Sequence, residues 1–476
     1  LDVIGAGEPA LPGVSIGHNQ RIAFGLTIFS LDQEDLYVYE THPKDSERYR
    51  YRGDWVPFET SRERIGIRDA PDLEVTIKFT RHGPVVFEDP KRHRAFAVRA
   101  GWLEPGMAPY FGSVEYMRAQ NWREFLAALN RWGAPAENQV YADIDGNIGY
   151  KPAGLFPRRV NFDGLLPVPG DGRFEWQGYF DMDALPEEYN PPRGFVATAN
   201  AMNLPSGYPI QERRVGFEWA QPWRHQRIFE VLRAQERHRI EDSLQLQRDY
   251  VSVLAREILK TLPRELGDPT ADRALSLLAG WDANMLPDSA PAALYSVWAF
   301  RYLLLGLVRT LAPEDAAPLL EYADPLQALA YLKTPSAERD AFLKQTLSQA
   351  LTTTEKILGP DPAQWKWGAL HKIALAHPLA HRAEGDLQAR MTLPSYPRGG
   401  SPFSPNNCWF GKANFEVIGG ASWRMVLDVG HWDAALATNA PGQSGDPGSP
   451  FFASLLENWA TDGAFPLLYT REAVEE

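Results

Sequence analysis

The stretch PGVSIGHNQRIAFGLT, residues Pro12 to Thr27, lies near the start of a chain of 476 residues. A Pro-Gly turn opens the stretch, a His-Asn step follows, and an apolar run then leads to a threonine. The apolar run predicts a β-strand. A Gly-His-Asn step at the mouth of a strand belongs either to an active site or to the turn itself, since Asn side chains readily bond to nearby backbone groups.

Outward from this strand, the first third of the chain contains short alternating or apolar runs that predict further strands. Gly53-Asp54 separates two such runs, as does a His-Gly-Pro step at 82–84, and both predict hairpins. Asp145-Gly146 in YADIDGNIGY is the strongest short-range hairpin signal of the chain. The segment NWREFLAALNRW has apolar residues at helical spacing and predicts one helix in this region.

The pattern changes twice along the rest of the chain. Residues 154–222 are rich in Pro, Gly and aromatic side chains, residues from about 226 to 358 show helical periodicity, and the last hundred return to turns and strands. Strands separated by a block of helices predict an α+β fold. We expect one interlocked domain with a β-rich part (1–225), a mainly helical part (226–390) and a return to the first part (391–476).

Composition excludes several classes of function. The chain carries 48 basic and 61 acidic residues, a net charge of −13, and the basic residues are scattered. Such a chain is poorly suited to bind a phosphate backbone, so no nucleic-acid partner is expected. Cys408 is the single cysteine, which rules out an internal disulfide and a Cys-rich zinc site. We find no apolar run long enough to span a bilayer, so no membrane partner is expected.

Local motifs do not identify a catalytic group. The Asp-x-Asp-Gly of YADIDGNIGY lacks the remaining oxygens of a calcium loop. His377 and His381 have the i, i+4 spacing of a metal pair, but Pro378 separates them and no glutamate follows the first, so these and His371 are interpreted as surface or packing residues. The Gly-rich GQSGDPGSP lacks the lysine of a phosphate loop, and no Gly-x-Ser-x-Gly elbow occurs.

Six segments taken in order resemble blocks of the β chain of the penicillin acylase family of N-terminal-nucleophile hydrolases. They are PGVSIGHNQRIAFGLT, NQVYADIDGNIGYKPAG, LLPVPGDGRFEWQGY, GFVATANAMNLPSGYP with WAQPWRHQRI, WGALHKIALAHPL, and NAPGQSGDPGSPFF with NWATDGAFPLLYTRE. Phe24 stands where the family usually has Trp. The resemblance implies a four-layer αββα sandwich with two antiparallel sheets, on which the helical stretch from about 226 to 390 is an elaboration.

The resemblance also implies a reaction. Members of this family hydrolyse the amide bond of N-acylated substrates, such as β-lactam antibiotics or acyl-homoserine lactones, with the side chain of the Ser that begins the β chain. The α-amino group of that Ser acts as general base. An α-amine has an ordinary pKa near 8, so much of it is neutral around pH 7–8. No His partner is then required, which agrees with the missing triad motif.

Three residues of this chain match the family's catalytic positions. The backbone N–H of Ile28 and the side-chain amide of Asn200 correspond to the donors that stabilise the oxyanion. Asn200 follows a Thr-Ala pair as in the family's block, although Ala201 replaces a second Asn; by itself the residue would be interpreted as a turn cap. Arg224 corresponds to an arginine that braces the site. The Gly-His-Asn step is then expected to be scaffold rather than a proton carrier.

Many relatives hold a calcium ion beside the same block. The resemblance predicts five oxygen ligands, with a further one from the other subunit: Asp32, Glu34 (through its carbonyl), Asp35, Gly164 (through its carbonyl) and Glu212. Three carboxylates in such a set suit calcium. The alternative for each residue is an acidic group on a solvated loop.

The nucleophile is expected to lie outside this sequence. Family β chains begin with Ser-Asn a few dozen residues before the Pro-Gly block, whereas here Leu1 lies only eleven residues before Pro12. We therefore expect a self-processed precursor, an α chain as partner, and no activity from the 476 residues alone. The family suggests a periplasmic or secreted protein. The alternatives are a catalytically silent binding or scaffold relative and a lectin-like calcium-binding β protein.

Overall fold

The computed structural model describes residues 2–8, 12–106, 111–321, 323–411 and 414–476. It divides into two compact units, Leu1–Ala220 and Gln221–Glu476. The first unit is mainly β and the second mainly helical. The expected division at 1–225, 226–390 and 391–476 stays a prediction.

The first unit contains sixteen of the described strands and two short α-helices. The strands are β1 (Val3–Ala6), β2 (Ile16–Asn19), β3 (Ile22–Ile28), β4 (Glu34–His42), β5 (Asp45–Tyr51), β6 (Asp54–Pro57), β7 (Glu59–Ile65), β8 (Leu73–Thr80), β9 (Gly83–Asp89), β10 (Arg94–Ala100), β11 (Glu137–Asp143), β12 (Ile148–Ala153), β13 (Phe156–Arg159), β14 (Val168–Pro169), β15 (Trp176–Phe180) and β16 (Glu188–Tyr189). The helices are α1 (Phe111–Tyr116) and α2 (Trp122–Leu129).

One sheet of the first unit is antiparallel and has the strand order β1-β2-β3-β11-β12-β16. Phe24 and Tyr141 are opposite each other on β3 and β11, and both pack with Tyr116 and Phe125 of the two helices. The helix predicted in NWREFLAALNRW is α2, and it begins where the side chain of Asn121 accepts a hydrogen bond from a backbone N–H in the first turn. The strand predicted from the opening stretch is β3.

The other large sheet has the order β6-β5-β4-β10-β9-β8-β7, and the short β14 adds to β4 in parallel. The predicted hairpins are present between β5 and β6, between β8 and β9, and between β11 and β12. In the first of these the turn is Arg52-Gly53, where both residues have positive φ, as a two-residue hairpin turn requires.

The second unit contains the remaining described α-helices and strands, and its strands are two to eight residues long. The helices are α3 (Trp223–Arg233), α4 (Ile240–Gln247), α5 (Val253–Leu259), α6 (Pro269–Leu278), α7 (Ala290–Val297), α8 (Leu304–Leu311), α9 (Pro325–Leu332), α10 (Ala337–Leu358), α11 (Trp367–Leu370), α12 (Gly385–Met391), α13 (Leu456–Ala460) and α14 (Arg471–Glu475). The strands are β17 (Lys372–Ile373), β18 (Tyr396–Pro397), β19 (Cys408–Phe410), β20 (Val417–Gly420), β21 (Arg424–Asp428), β22 (His431–Thr438) and β23 (Phe465–Pro466).

A long apolar helix lies at the centre of the second unit. It runs over Ala290–Leu311 through α7, a π-helical segment and α8. By length and composition alone it could cross a membrane, which corrects the expectation that no apolar run is long enough. However, 67% of its most apolar window is buried, and Trp298 and Leu307 belong to the largest hydrophobic cluster. Such burial is typical of the core helix of a helical domain, which is apolar on all sides.

His82 forms a hydrogen-bonded cluster with Tyr39 and Glu175 at the second large sheet. The imidazole of His82 stacks on the ring of Tyr37, accepts a hydrogen bond from the hydroxyl of Tyr39 and donates from Nε2 to Glu175, 2.9 Å away. Both Tyr39 and His82 are buried. Burial lowers the pKa of His82, and the hydrogen bond and charge of Glu175 oppose this shift only in part.

The burial of His82 should make the stability of the first unit sensitive to acid. The folded-state pKa of His82 lies below the ordinary value, which is about 6.5. Its contribution to stability is therefore complete above that value and is lost as the pH falls towards 5. We expect His82→Gln to flatten the decline in the free energy of unfolding between pH 7 and 5, measured by urea denaturation. His431→Gln, at an exposed histidine, is the control; equal slopes in both variants would contradict the assignment.

Candidate active site

The candidate site lies where β3 ends. Phe29 N–H donates to the carbonyl of Ala136 on the β11 side, at 3.1 Å. The Ile28 carbonyl accepts hydrogen bonds from the side-chain amides of Asn138, at 3.0 Å, and Asn200, at 3.1 Å. Asn200 therefore lies within hydrogen-bond distance of the backbone of Ile28, at the end of β3.

The backbone holds Asn200 in an uncommon conformation. Its φ is +61°, in the left-handed region, which Asn tolerates better than most other residues. Its neighbours Ala199 and Ala201 are buried, and its carbonyl accepts a hydrogen bond from Ala220 N–H at 3.0 Å. The side chain thus projects from a segment that is fixed on both sides, although the segment belongs to no helix or strand.

The predicted site residues fall into both units. Ile28 and Asn200 meet in the first unit, as described above. Arg224 belongs to the second unit, where it lies in the first turn of α3 and burial lowers its pKa. The catalytic roles of all three stay predictions.

The Gly-His-Asn step is an anchor. Asn19 is buried, and its amide donates to the carbonyls of Met117 and Ala119 at 3.0 and 2.8 Å. Its side-chain oxygen accepts from the backbone N–H of Arg21 and Ile22, at 2.8 and 2.9 Å. These bonds connect the turn before β3 to the end of α1, which matches the scaffold role expected from the sequence.

Four of the five predicted calcium ligands line one cavity of about 550 Å³: Asp32, Glu34, Asp35 and Gly164. Glu212 instead lines a neighbouring cavity of about 200 Å³, together with Arg159. Burial raises the pKa of the Asp32 carboxyl to about 6, while the charge of Arg159 opposes the rise. Two partly buried carboxylates so close to each other can both be ionised only if a positive charge lies beside them.

Arg159 supplies that positive charge. Its Nε donates to Asp35 at 2.7 Å, and its Nη2 lies 3.3 Å from the Asp32 carboxylate. The same Nη2 donates to the carbonyls of Asp32 and Glu34, each at 3.2 Å. The indole N–H of Trp176 donates to Asp35 as well. Within the described residues, no group of three or more His, Cys, Asp or Glu could hold a metal ion. In this arrangement the oxygens bind a guanidinium and do not form the cage of six to eight oxygens that calcium prefers.

The sequence analysis missed two residues, Asn138 and Arg159. Asn138 lies in NQVYADIDGNIGY, which we interpreted as a hairpin and as part of one family block without giving Asn138 a role, yet it is completely buried. A polar side chain in a buried strand must find hydrogen-bond partners, and that was the available signal. Arg159 lies in the irregular Pro/Gly-rich part, where periodicity gives no information about facing residues.

The fold matches that of a solved acylase structure. The structure superposes on that of a thermostable penicillin G acylase from Alcaligenes faecalis with a TM-score of 0.70, covering 100% of this chain and 92% of the other, at 20% sequence identity. The α+β fold is therefore that of an N-terminal-nucleophile hydrolase, as the resemblance predicted.

The family follows from the sequence. The family model described as Penicillin amidase matches residues 1–476, and the chain belongs to that family. The chain is 29% identical over 496 residues to a penicillin acylase 2 proenzyme from Pseudomonas sp. (strain SE83), covering 100% of this chain and 62% of that relative. It is 26% identical over 520 residues to the acyl-homoserine lactone acylase QuiP from Pseudomonas aeruginosa, covering 96% and 60%. The chain thus spans about three fifths of the length of these curated relatives.

The acidic cavity generates a prediction about stability. Arg159→Met should lower the free energy of unfolding by about 3–5 kcal/mol, because it leaves buried carboxylates without a partner. The neighbouring Arg158, whose side chain lies over the ring of Phe180, gives the matched control Arg158→Met, for which we expect only a small change. Denaturation with and without added Ca²⁺ measures both variants.

The effect of added Ca²⁺ on the unfolding midpoint has two distinguishable outcomes. If Arg159 already neutralises the site, Ca²⁺ should leave the unfolding midpoint of the unsubstituted protein unchanged. A midpoint that rises with Ca²⁺ would instead support the calcium site that the resemblance predicts. A loss of stability equal to that of Arg158→Met would show that the Arg159 contacts contribute little.

Proposed function

We propose that the protein carrying this chain is an acylase-type amidohydrolase, which cleaves the amide bond of N-acylated small molecules. The observation that carries the proposal is the contact at the end of β3, where the Asn200 amide donates to the carbonyl of Ile28. These are the two residues to which the resemblance assigns the oxyanion donors. Attack on an amide carbonyl produces an oxyanion, and preorganised N–H donors stabilise that charge in the transition state. Family membership supports the same reaction.

The nucleophile in this proposal is an N-terminal serine supplied by the complete protein. Its α-amine would take the hydroxyl proton and later return a proton to the leaving amine, so that proton transfer needs no histidine. Ile28 and Asn200 would bind the oxyanion of both tetrahedral intermediates. The resemblance assigns to Arg224 the part of a planar multiple donor that would brace the site.

The relatives suggest the class of substrate and partner. Their names refer to penicillin and to acyl-homoserine lactones, and both kinds of molecule carry an acyl group on an amide nitrogen. One relative is named as a proenzyme, which supports a precursor that is processed to give a partner α chain. Periplasmic or secreted localisation is part of the proposal and rests on the family alone.

A silent binding or scaffold relative of the same fold is the alternative. A protein that only binds has no use for the two oxyanion donors that the resemblance assigns to Ile28 and Asn200. The strained φ of Asn200 also favours catalysis, since uncommon backbone conformations concentrate at functional sites. Neither feature is expected to persist in a protein that needs only the fold.

The test uses the full-length protein and a panel of acyl amides. Asn200→Gly removes the amide and still permits a positive φ, so the backbone should stay in place. We expect kcat to fall ~10²–10³-fold, with a much smaller change in KM, because the donor acts in the transition state. Asn161→Gly, at an exposed Asn whose amide donates to Arg173 O, is the control.

Intact-mass and N-terminal sequence measurements on the same preparation complete the test. A separate chain that begins with Ser, together with a hydrolysed substrate, would agree with the proposal. An unprocessed protein that hydrolyses no member of the panel would favour the silent relative. A normal kcat in Asn200→Gly would show that this amide is no part of the oxyanion hole.

A further inference from the structure

Asn138 lies on β11 directly opposite Thr27 and is completely buried. Its Nδ2 donates to Thr27 Oγ1 at 3.1 Å and to the carbonyl of Ile28 at 3.0 Å. Because a carbonyl oxygen can only accept, the contact with Ile28 fixes which end of the amide is the NH₂ group. Its Oδ1 then accepts from the hydroxyl of Tyr150, at 2.8 Å. Its two N–H donors therefore serve the end of β3, and its oxygen is held by Tyr150 of β12.

The bonds continue from Asn138 to the segment that carries Asn200. Because the Asn138 amide donates to Thr27, the Thr27 hydroxyl is left to donate to the hydroxyl of Thr198, at 2.9 Å. Thr198 precedes Asn200 by two residues. The Ile28 carbonyl, which accepts from Asn138, also accepts from Asn200. Asn138 is therefore connected to Asn200 along two routes.

We propose that Asn138 is a positioning residue of the oxyanion hole. This inference rests on the proposed function and deepens it. Asn138 acts through other residues: it holds the peptide group of Ile28 from one side, and through Thr27 it holds the segment Thr198–Asn200. One buried amide thus sets the positions of both donors relative to each other.

The Asn200 segment needs such support because it is irregular. No ladder of strand or helix hydrogen bonds runs from it to β3, and connecting segments of this kind are generally more mobile than regular elements. The side-chain bonds replace that ladder. Preorganisation matters because a displacement of about 1 Å at a reacting group can reduce a rate by ~10²-fold.

Two substitutions remove the support, and a third provides the matched control. Asn138→Ala removes all three bonds, whereas Asn138→Asp retains the contact with Tyr150 and loses both donors to Thr27 and Ile28. Asn19→Ala removes an equally buried amide that also makes several backbone bonds in this sheet, but at its distant anchor turn. All are made in the full-length protein.

We expect kcat to fall ~10–100-fold in both Asn138 variants, with KM within about a factor of two, since the defect concerns transition-state geometry. Asn19→Ala should lower the thermal midpoint as Asn138→Ala does and leave the kcat of the folded protein unchanged. Equal losses of kcat in Asn19→Ala and Asn138→Ala would overturn the proposal, since they would reflect general destabilisation.

Crystal structures of the unsubstituted protein and Asn138→Ala separate this inference from the proposed function. We expect the Asn200 amide to leave the Ile28 carbonyl in the variant. If the unsubstituted protein hydrolyses no acyl amide, the proposed function fails, and the crystal structures alone test the positioning role of Asn138. A displaced Asn200 in the variant then supports that role, and an unmoved Asn200 overturns it.

Discussion

The register between β3 and β11 is the constraint on which the candidate site depends. Thr27 lies opposite Asn138, so both side chains point to the same face of the sheet and their polar atoms meet. A slip of one residue would turn every side chain of β11 to the other face. Asn138 would then point towards the helices, and Tyr141 would leave the aromatic cluster with Phe24. Packing of the apolar face therefore fixes the polar contacts of the other face.

Local signals in the sequence predicted much of the fold. The hairpin turn at Asp145-Gly146 and helix α2 follow from turn chemistry and periodicity, which are properties of neighbouring residues. The contact between Asn138 and Thr27 joins residues that are 111 positions apart. No local pattern contains such information. The resemblance to a family supplied Asn200 and Ile28 as candidates, but it did not indicate what holds them.

The acidic cavity contains carboxylates of the predicted calcium site together with an arginine, and calcium binding there stays a prediction. The resemblance proposed Asp32 and Asp35 as ligands of a divalent cation, and both do approach one another in the fold. The same oxygens attract any cation within reach, and Arg159 lies close enough to bind them. A guanidinium presents five donors in a plane, so it can bind carboxylates and carbonyls together. Whether these oxygens bind an arginine or a metal depends on residues more than a hundred positions away.

The chain holds Ile28 and Asn200, the two residues proposed as oxyanion donors, through its own contacts. Asn200 keeps its positive φ because Ala199 and Ala201 are buried beside it and Ala220 binds its carbonyl. Strain of this kind persists only where the surroundings determine the conformation more than once. The donors therefore need no nucleophile or substrate to bring them together. If the complete protein is an acylase, most of the reorganisation needed to stabilise the oxyanion is already done when this part of the chain folds.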